Sequence, residues 1–411
     1  MALPHTTLTD PAFGHFPPVL SAALRRTLLH FLRRIEVGTL TVTLPSGASI
    51  HHAGARPGPD GVLLVRRWRA LLRLLLAGDL GLARAYMDDD CRSPDLRALL
   101  EFGARNARSR KKMPSDFPLA RSLDRIRHAL RANTRTGSRR NIAAHYDLGN
   151  DFYALWLDRG MNYSSALFTE YGQTLEQAQD AKLSRIVELL DVQAGQRILE
   201  IGCGWGPLAE RLAVDAGWNV TGVTLSSEQL DFAQARLHRR TPAKNWDLRL
   251  QDYRDIDGRY DRIVSIEMLE AVGERYWPIY FDRLRQSLTD TGTAVLQVIT
   301  IAESRFAAYR RRPDFIQRFI FPGGMLPTLD IIRRQAASAG LHLVTQQSFG
   351  TSYAKTLAEW HRRFLQAWPC IETFGFDARF KRMWEYYLSY CEVGFAVNAI
   401  DVNLIKLIPA R

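Results

Sequence analysis

Cysteine is scarce in this chain. Its 411 residues include only Cys91, Cys203, Cys370 and Cys391, with no Cys-x-x-Cys pair and no zinc-ligand spacing. That argues against a disulfide framework or a metal site and for free thiols in a reducing compartment. Long apolar runs are also missing. The most apolar window, Ala70 to Ala77, is short and contains Arg73, far from the ~20 apolar residues a spanning helix needs. The start, Met-Ala-Leu-Pro-His, shows no basic stretch followed by an apolar one, so no signal peptide is expected. The chain is expected in the cytoplasm, able to touch a bilayer and not to cross it. Acids are outnumbered: 43 Asp and Glu face 55 Lys and Arg, a net charge of +12. That excess speaks of partners, nucleic acid or an anionic membrane, and not of fold. The apolar share of 46% is ordinary for a globular protein, so a sizeable core is expected, with room for two domains.

In chain order, residues 19–35 read as a basic amphipathic helix: Leu20, Leu24, Leu28, Phe31, Leu32 and Ile35 form a stripe, with Arg25, Arg26, Arg33 and Arg34 off it. Such a helix lies on a membrane surface or packs on its own domain. Strands are expected around Thr39–Leu44 and Gly61–Val65, with a turn over Pro57-Gly58-Pro59-Asp60-Gly61 before the second, and a helix from Trp68 to Ala77. Residues 1–103 thus read as a small α+β domain. From Arg105 to Arg140 twelve cations meet only Asp116 and Asp124. This is a solvated linker or a juxtamembrane basic patch, in which each cation contributes about 1 kcal/mol near an anionic surface. Residues 104–140 form the boundary, and 141–411 the catalytic domain.

That domain is organised around Arg197-Ile198-Leu199-Glu200-Ile201-Gly202-Cys203-Gly204-Trp205-Gly206. The order is strand, tight glycine turn, helix, which brings bare backbone against a ligand. Glu-x-Gly-x-Gly-x-Gly differs from the dinucleotide pattern and is similar to motif I of class I S-adenosylmethionine (SAM) methyltransferases; a purely structural βα turn is the alternative. Further strands are expected near Asn219–Thr224, Asp247–Leu250, Tyr260–Ile266, Thr293–Ile299, Leu341–Gln346 and Asn403–Ile408, with helices between them. This predicts a mostly parallel, doubly wound α/β sheet of seven strands, with its ligand at the carboxyl ends of the strands. After the second strand, Thr224, Leu225, Ser226 and Gln229 stand where many SAM enzymes place an acid on the ribose. After the third come Gln251, Asp252, for an adenine amine or as a turn acid, and Tyr253 beside the ring. The fourth ends Ser265-Ile266-Glu267-Met268-Leu269-Glu270, with two carboxylates near the reaction end.

Nucleic acid fits poorly as a substrate. An adenine amine methyltransferase would show Asn/Asp-Pro-Pro-Tyr-like residues after the fourth strand and a cytosine enzyme Pro-Cys, where this chain has Glu267 to Glu270. Instead, Asn141 to Tyr153, Met161 to Ala166, Leu199 to Gly206, Gly222 to Gln229, Gln251 to Asp255, Phe319 to Gly324 and Lys381 to Leu388 resemble the cyclopropane fatty acid synthase family across residues 60–400.

The resemblance implies a peripheral enzyme on the inner face of the membrane. It would use SAM to methylate the double bond of an unsaturated acyl chain in phospholipid, with a lipid-engaging N-terminal domain; it also allows a homodimer. It implies that Tyr163 and Ser164 close over SAM together with Glu200, Gly202, Cys203, Gly204, Gly206 and Ile266. Aromatic faces such as Tyr163, Phe168, Phe321 and Tyr353 are candidates to stabilise the cation, or simply pack in the core. In the family the base is a bicarbonate ion. Position by position its holders fall on Glu270, Tyr353 and Ile299, with Ser165 where the family has Cys and Gln297 where it has His. Those two changes keep hydrogen-bonding capacity and lose titratable groups, and could instead mark a methylene or methyl-branched product. Cys391 matches a family cysteine; its other reading is helix packing.

Overall fold

The computed structural model describes residues 32, 34–107, 134, 137, 148–240 and 245–410. Most of the expected helix over 19–35, most of the basic stretch 105–140 and the motif from Asn141 to Asp147 lie outside the described residues. The chain forms two compact units.

The first unit lies within Met1–Ser122 and takes in Phe376–Val397. Its sheet runs β2-β1-β3-β4, where β1 is Val37–Thr43, β2 Ser49–Ala53, β3 Arg56–Val65 and β4 Cys91–Arg92. Along β1, Leu40 and Val42 point inward in strict alternation, the period of a half-buried strand. The turn expected over 57–61 is instead the first half of β3. Two prolines are tolerated there because β4 pairs only with Leu64 and Val65, leaving the start of β3 an edge. A register shift opposite Gly38 absorbs the irregularity. Gly38 has φ +78°, and a Cβ on it would sit 2.2 Å from the Pro59 carbonyl oxygen, so only glycine fits.

The boundary expected at 141–411 also changes, because the helix Ala378–Ala396 belongs to this first unit. Tyr86 Oη donates to Glu385 (3.0 Å), Arg97 to Glu392 (2.5 Å) and Arg382 to the Met87 carbonyl (2.8 Å). These partners are over 290 residues apart in sequence, which local periodicity cannot reveal.

The second unit holds all seven expected strands: β5 Arg197–Ile201, β6 Asn219–Thr224, β7 Trp246–Leu250, β8 Tyr260–Ile266, β9 Leu288–Ile301, β10 Leu341–Ser348 and β11 Ile400–Pro409. The order is β10-β11-β9-β8-β5-β6-β7. β9, β8, β5, β6 and β7 are parallel, and β11 inserts antiparallel between β9 and β10. Leu199, Ile201, Ile263, Leu296 and Val298 pack with Trp277 and Phe281 from the helix Trp277–Ser287. Strand order reverses between β5 and β8, which puts the ligand crevice at their carboxyl ends.

Candidate active site

β5 ends in the glycine loop. Gly202, Gly204 and Gly206 have φ of +86°, +54° and +81°, the left-handed region that glycine enters freely. The Gly202 and Cys203 amides both donate to the Val223 carbonyl of β6 (2.9 and 3.0 Å), locking the loop to the neighbouring strand. A Cβ on Gly204 would meet nothing within 4 Å among the described residues, whereas one on Gly206 would stand 2.9 Å from Ala233 Cβ of the helix Ser227–Arg240. A side chain at Gly204 would thus enter open space among the described residues, and one at Gly206 a packed helix. Cys203 is buried, and burial holds its thiol well above the usual range. Glu200 is also buried, its carboxyl pushed up to about 8 by desolvation, with Oε2 lacking a partner among the described residues. An orphaned acid beside an open glycine cradle fits the ammonium-bearing end of SAM.

At the end of β6, Thr224 Oγ1 donates to Gln229 Oε1 (3.1 Å), and Ser226 Oγ accepts the Gln229 amide (3.2 Å) at the start of the following helix. Leu225 between them is half-buried. Gln251 donates to the Asp255 carbonyl (2.6 Å). Asp252 caps its turn and takes Arg254 on both oxygens, at 2.8 and 2.6 Å, so the turn-acid alternative describes its visible bonding. Tyr253 lies edge-on to Tyr280 (5.6 Å between centroids), under the Arg254 guanidinium. Burial pushes its hydroxyl up to about 12.

The acids after β8 are distributed differently from expectation. Glu267, directly after Ile266, has φ +50°, uncommon for a residue with a side chain. Its Oε1 accepts the Ser165 amide (2.9 Å) and Gln297 Nε2 (2.7 Å), and its Oε2 accepts the Tyr353 hydroxyl (2.7 Å). The Ser165 hydroxyl itself donates to the Ala166 carbonyl (2.9 Å). Glu270 receives the Ile299 amide on Oε1, while its buried Oε2 has no partner among the described residues. Thus Ser165, Gln297 and Tyr353, expected to share a base with Glu270, close on Glu267, and Ile299 alone stays with Glu270. Met268 between the acids lies 3.3 Å from the position of a Cβ on Gly202, so acids and glycine loop share one end of the sheet. Cys391 stands on the helix Ala378–Ala396, in the other unit.

Sequence reasoning gave Glu267 no role and missed Lys182 altogether. Lys182 is 1% exposed and donates to Ser164 Oγ (3.0 Å) and Asn162 Oδ1 (3.3 Å), while Gln179 donates to the Ser164 carbonyl (2.9 Å). A signal existed. Residues 179 and 182 fall on the same buried stripe of the helix Leu175–Leu190 as Ala178, Leu183 and Ile186. Tyr163 packs against Tyr153, Trp156 and Trp360 at 5.3–5.6 Å, and Tyr353 meets Trp360 at 6.1 Å. Of the other expected aromatic faces, Phe168 has the Lys355 ammonium 5.6 Å from its ring.

Burial pushes both Glu200 and Glu270 from an ordinary 4.5 up to about 8; for Glu270 the neighbouring Glu267 adds to it. A carboxyl raised on folding stabilises the fold fully below its unfolded value, and that contribution is lost as pH climbs through the folded value. Thermal melts should therefore show stability falling between about pH 4.5 and 8, with the slope shallower in Glu270→Gln. An unchanged slope in that variant would contradict the assignment.

The profile of the family described as mycolic acid cyclopropane synthetase matches residues 133–405. The tuberculostearic acid methyltransferase of Mycobacterium tuberculosis is 37% identical over 95% of this chain and 91% of its own length. The cyclopropane-fatty-acyl-phospholipid synthase of Escherichia coli is 37% identical over 82% of this chain and 85% of its own. Among solved structures, a cyclopropane synthase from M. tuberculosis superposes with a TM-score of 0.61 at 31% identity, covering 66% of this chain and 97% of that one. A mycolic acid cyclopropane synthase complexed with SAH and CTAB gives 0.61 at 30%, with the same coverage. The sheet is that of the class I SAM methyltransferases, and the chain is a SAM-dependent methyltransferase belonging to the mycolic acid cyclopropane synthetase family.

Proposed function

We propose that this enzyme adds a methyl carbon to the double bond of an unsaturated acyl chain carried on membrane phospholipid, and closes a cyclopropane. The observation that carries this reading is the half-buried, desolvated acid pair, Glu267 and Glu270, beside the glycine loop. An isolated alkene is a poor nucleophile, and the cation it leaves must lose a proton where water is excluded. When bound, SAM supplies an electrophilic methyl group. The residues around the glycine loop hold it in line with the alkene, and the aromatic rings of Tyr163, Trp360 and Tyr353 offer faces to positive charge. A methylene or methyl-branched product is a second reading, favoured by the near full-length similarity to an enzyme named as a methyltransferase. Incubating the protein with SAM and oleoyl phospholipid vesicles, then recording proton NMR of the lipid, decides. Far-upfield cyclopropane protons are expected, olefinic methylene protons would favour the second reading, and no SAM-derived carbon in the lipid would overturn both.

The cytoplasmic, peripheral placement belongs to the same proposal. In the first unit the helix Arg69–Ala77 buries only Ala70 and Leu71, and Leu76 is 54% exposed. The basic excess over 105–140 would add electrostatic attraction to an anionic leaflet. Sedimentation with vesicles should show strong binding to phosphatidylglycerol and little to phosphatidylcholine. The former should weaken at least about tenfold as salt rises from roughly 0.1 to 0.5 M, where the Debye length shrinks. Equal binding to both vesicles would count against it.

A further inference from the structure

We propose that Glu267 is the base of the reaction: the chain supplies its own carboxylate at the place where the methylated acyl chain gives up its proton. This rests on the alkene-methylation reading above. Three carboxyl-bearing side chains sit at this end of the sheet: Glu200, which is buried, and Glu267 and Glu270, which are half-buried with desolvated carboxyls. Only Glu267 is gripped on both oxygens, by donors from three separate places: the Ser165 loop, Gln297 on β9 and Tyr353 on the helix Gly350–Thr373. Donors of this kind favour the ionised form. Glu270 has only backbone donors and its Oε2 has no partner among the described residues, so of two neighbouring acids it is the one that keeps the shared proton. The backbone supports the same assignment. A left-handed φ on a residue with a Cβ costs about 1–2 kcal/mol, and glycine at 267 would relieve it. Glycine would also remove the carboxylate on which the Ser165 amide, the Gln297 side chain and the Tyr353 hydroxyl converge. The strained glutamate fills that ring of donors with its own carboxylate, so the donors a separately bound anion would need are already taken.

The step balances without a co-reactant. The alkene π pair attacks the methyl carbon, the C–S bond breaks with its pair left on sulfur, and a cation forms on the adjacent chain carbon. The Glu267 carboxylate takes a proton from the new methyl group. The freed C–H pair closes the ring, or makes a methylene if a hydride has first moved from the methylated carbon to the cation. Ser165, Gln297 and Tyr353 are then positioning residues, and the proton on Glu267 passes to water on product release.

The test uses the full-length protein, labelled SAM and oleoyl phospholipid vesicles. Glu267→Gln should lower kcat by about 10³-fold, within the range of general-base removal, with SAM affinity by titration changed less than about twofold. Glu267→Gly should be equally slow in carbonate-free buffer and recover at least about tenfold with added formate or bicarbonate, a rescue that misfolding cannot imitate. Wild-type turnover should be indifferent to removing or adding bicarbonate. Wild-type activity that collapses without bicarbonate, or a Glu267→Gln enzyme retaining more than about a tenth of kcat, overturns the proposal while leaving lipid methylation intact. A wild-type enzyme that transfers no label to lipid overturns both.

Discussion

Gly204→Val should lower SAM affinity by at least about 100-fold, close to 3 kcal/mol, and leave the thermal midpoint within a few degrees of wild type. The two costs separate because of where the side chain goes. Nothing of the described protein lies within 4 Å of a Cβ at Gly204, so the added methyls would enter open space beside the loop, which on the proposed placement of SAM is the cofactor's. The fold bears only the strain of φ +54°, about 1–2 kcal/mol. Gly206→Ala is the control. Its Cβ would press at 2.9 Å on Ala233, so overpacking of about 1–3 kcal/mol adds to a φ of +81°, and stability should fall further while SAM affinity falls less. Calorimetric titration and thermal melting on both variants read the two quantities independently. A Gly204→Val protein that binds SAM normally would remove the glycine loop from the cofactor site.

The contrast between these glycines shows what the sequence could and could not disclose. That strand, turn and helix follow one another at 197–210 is written in local pattern: β-branched and apolar residues, three glycines at alternate positions, then Pro207 at the first helical position. All seven strands of the sheet were legible for the same reason, since each contains a short run of β-competent residues, although β9 begins at Leu288, ahead of the expected Thr293. Which glycine faces a ligand and which faces a helix depends on the neighbours that tertiary structure brings, and period carries none of that. The return of Ala378–Ala396 to the first unit is a long-range event of the same kind. Glu267 sits between these cases. Two acids three apart after the fourth strand were visible, but residue-by-residue likeness put the hydrogen-bonding partners on Glu270. Only the chain path through a left-handed residue turns Ser165, Gln297 and Tyr353 onto its neighbour. Asp252 caps its own turn through the Arg254 amide, as turn chemistry alone predicts, and also takes the Arg254 guanidinium on both oxygens.

Lys182→Met should cut turnover at pH 7 about tenfold or more and move the acidic limb of the rate profile upward. Methionine keeps the stem's packing and removes the charge. Burial already pulls the Lys182 ammonium down to about 8, against the opposing pull of Asp158, Glu267 and Glu200. Reciprocally, its charge favours the ionised forms of Glu267 and Glu200, whose carboxyls burial holds above the ordinary range. Without the ammonium, Glu267 faces the Glu270 carboxyl with only the Ser165, Gln297 and Tyr353 donors on its side, and its proton affinity rises. A carboxylate acting as base works only when ionised, so a higher folded value means a smaller active fraction at any pH below it. Activity should therefore recover as the assay is made more alkaline, a behaviour that simple loss of the Ser164 and Asn162 contacts would not produce. Those contacts predict a uniform loss at every pH, with KM and kcat both disturbed. Measuring kcat and KM from pH 6 to about 9 for wild type and Lys182→Met separates the two. A depressed but parallel profile would make Lys182 a prop for the Ser164 loop and take away its electrostatic part in proton transfer.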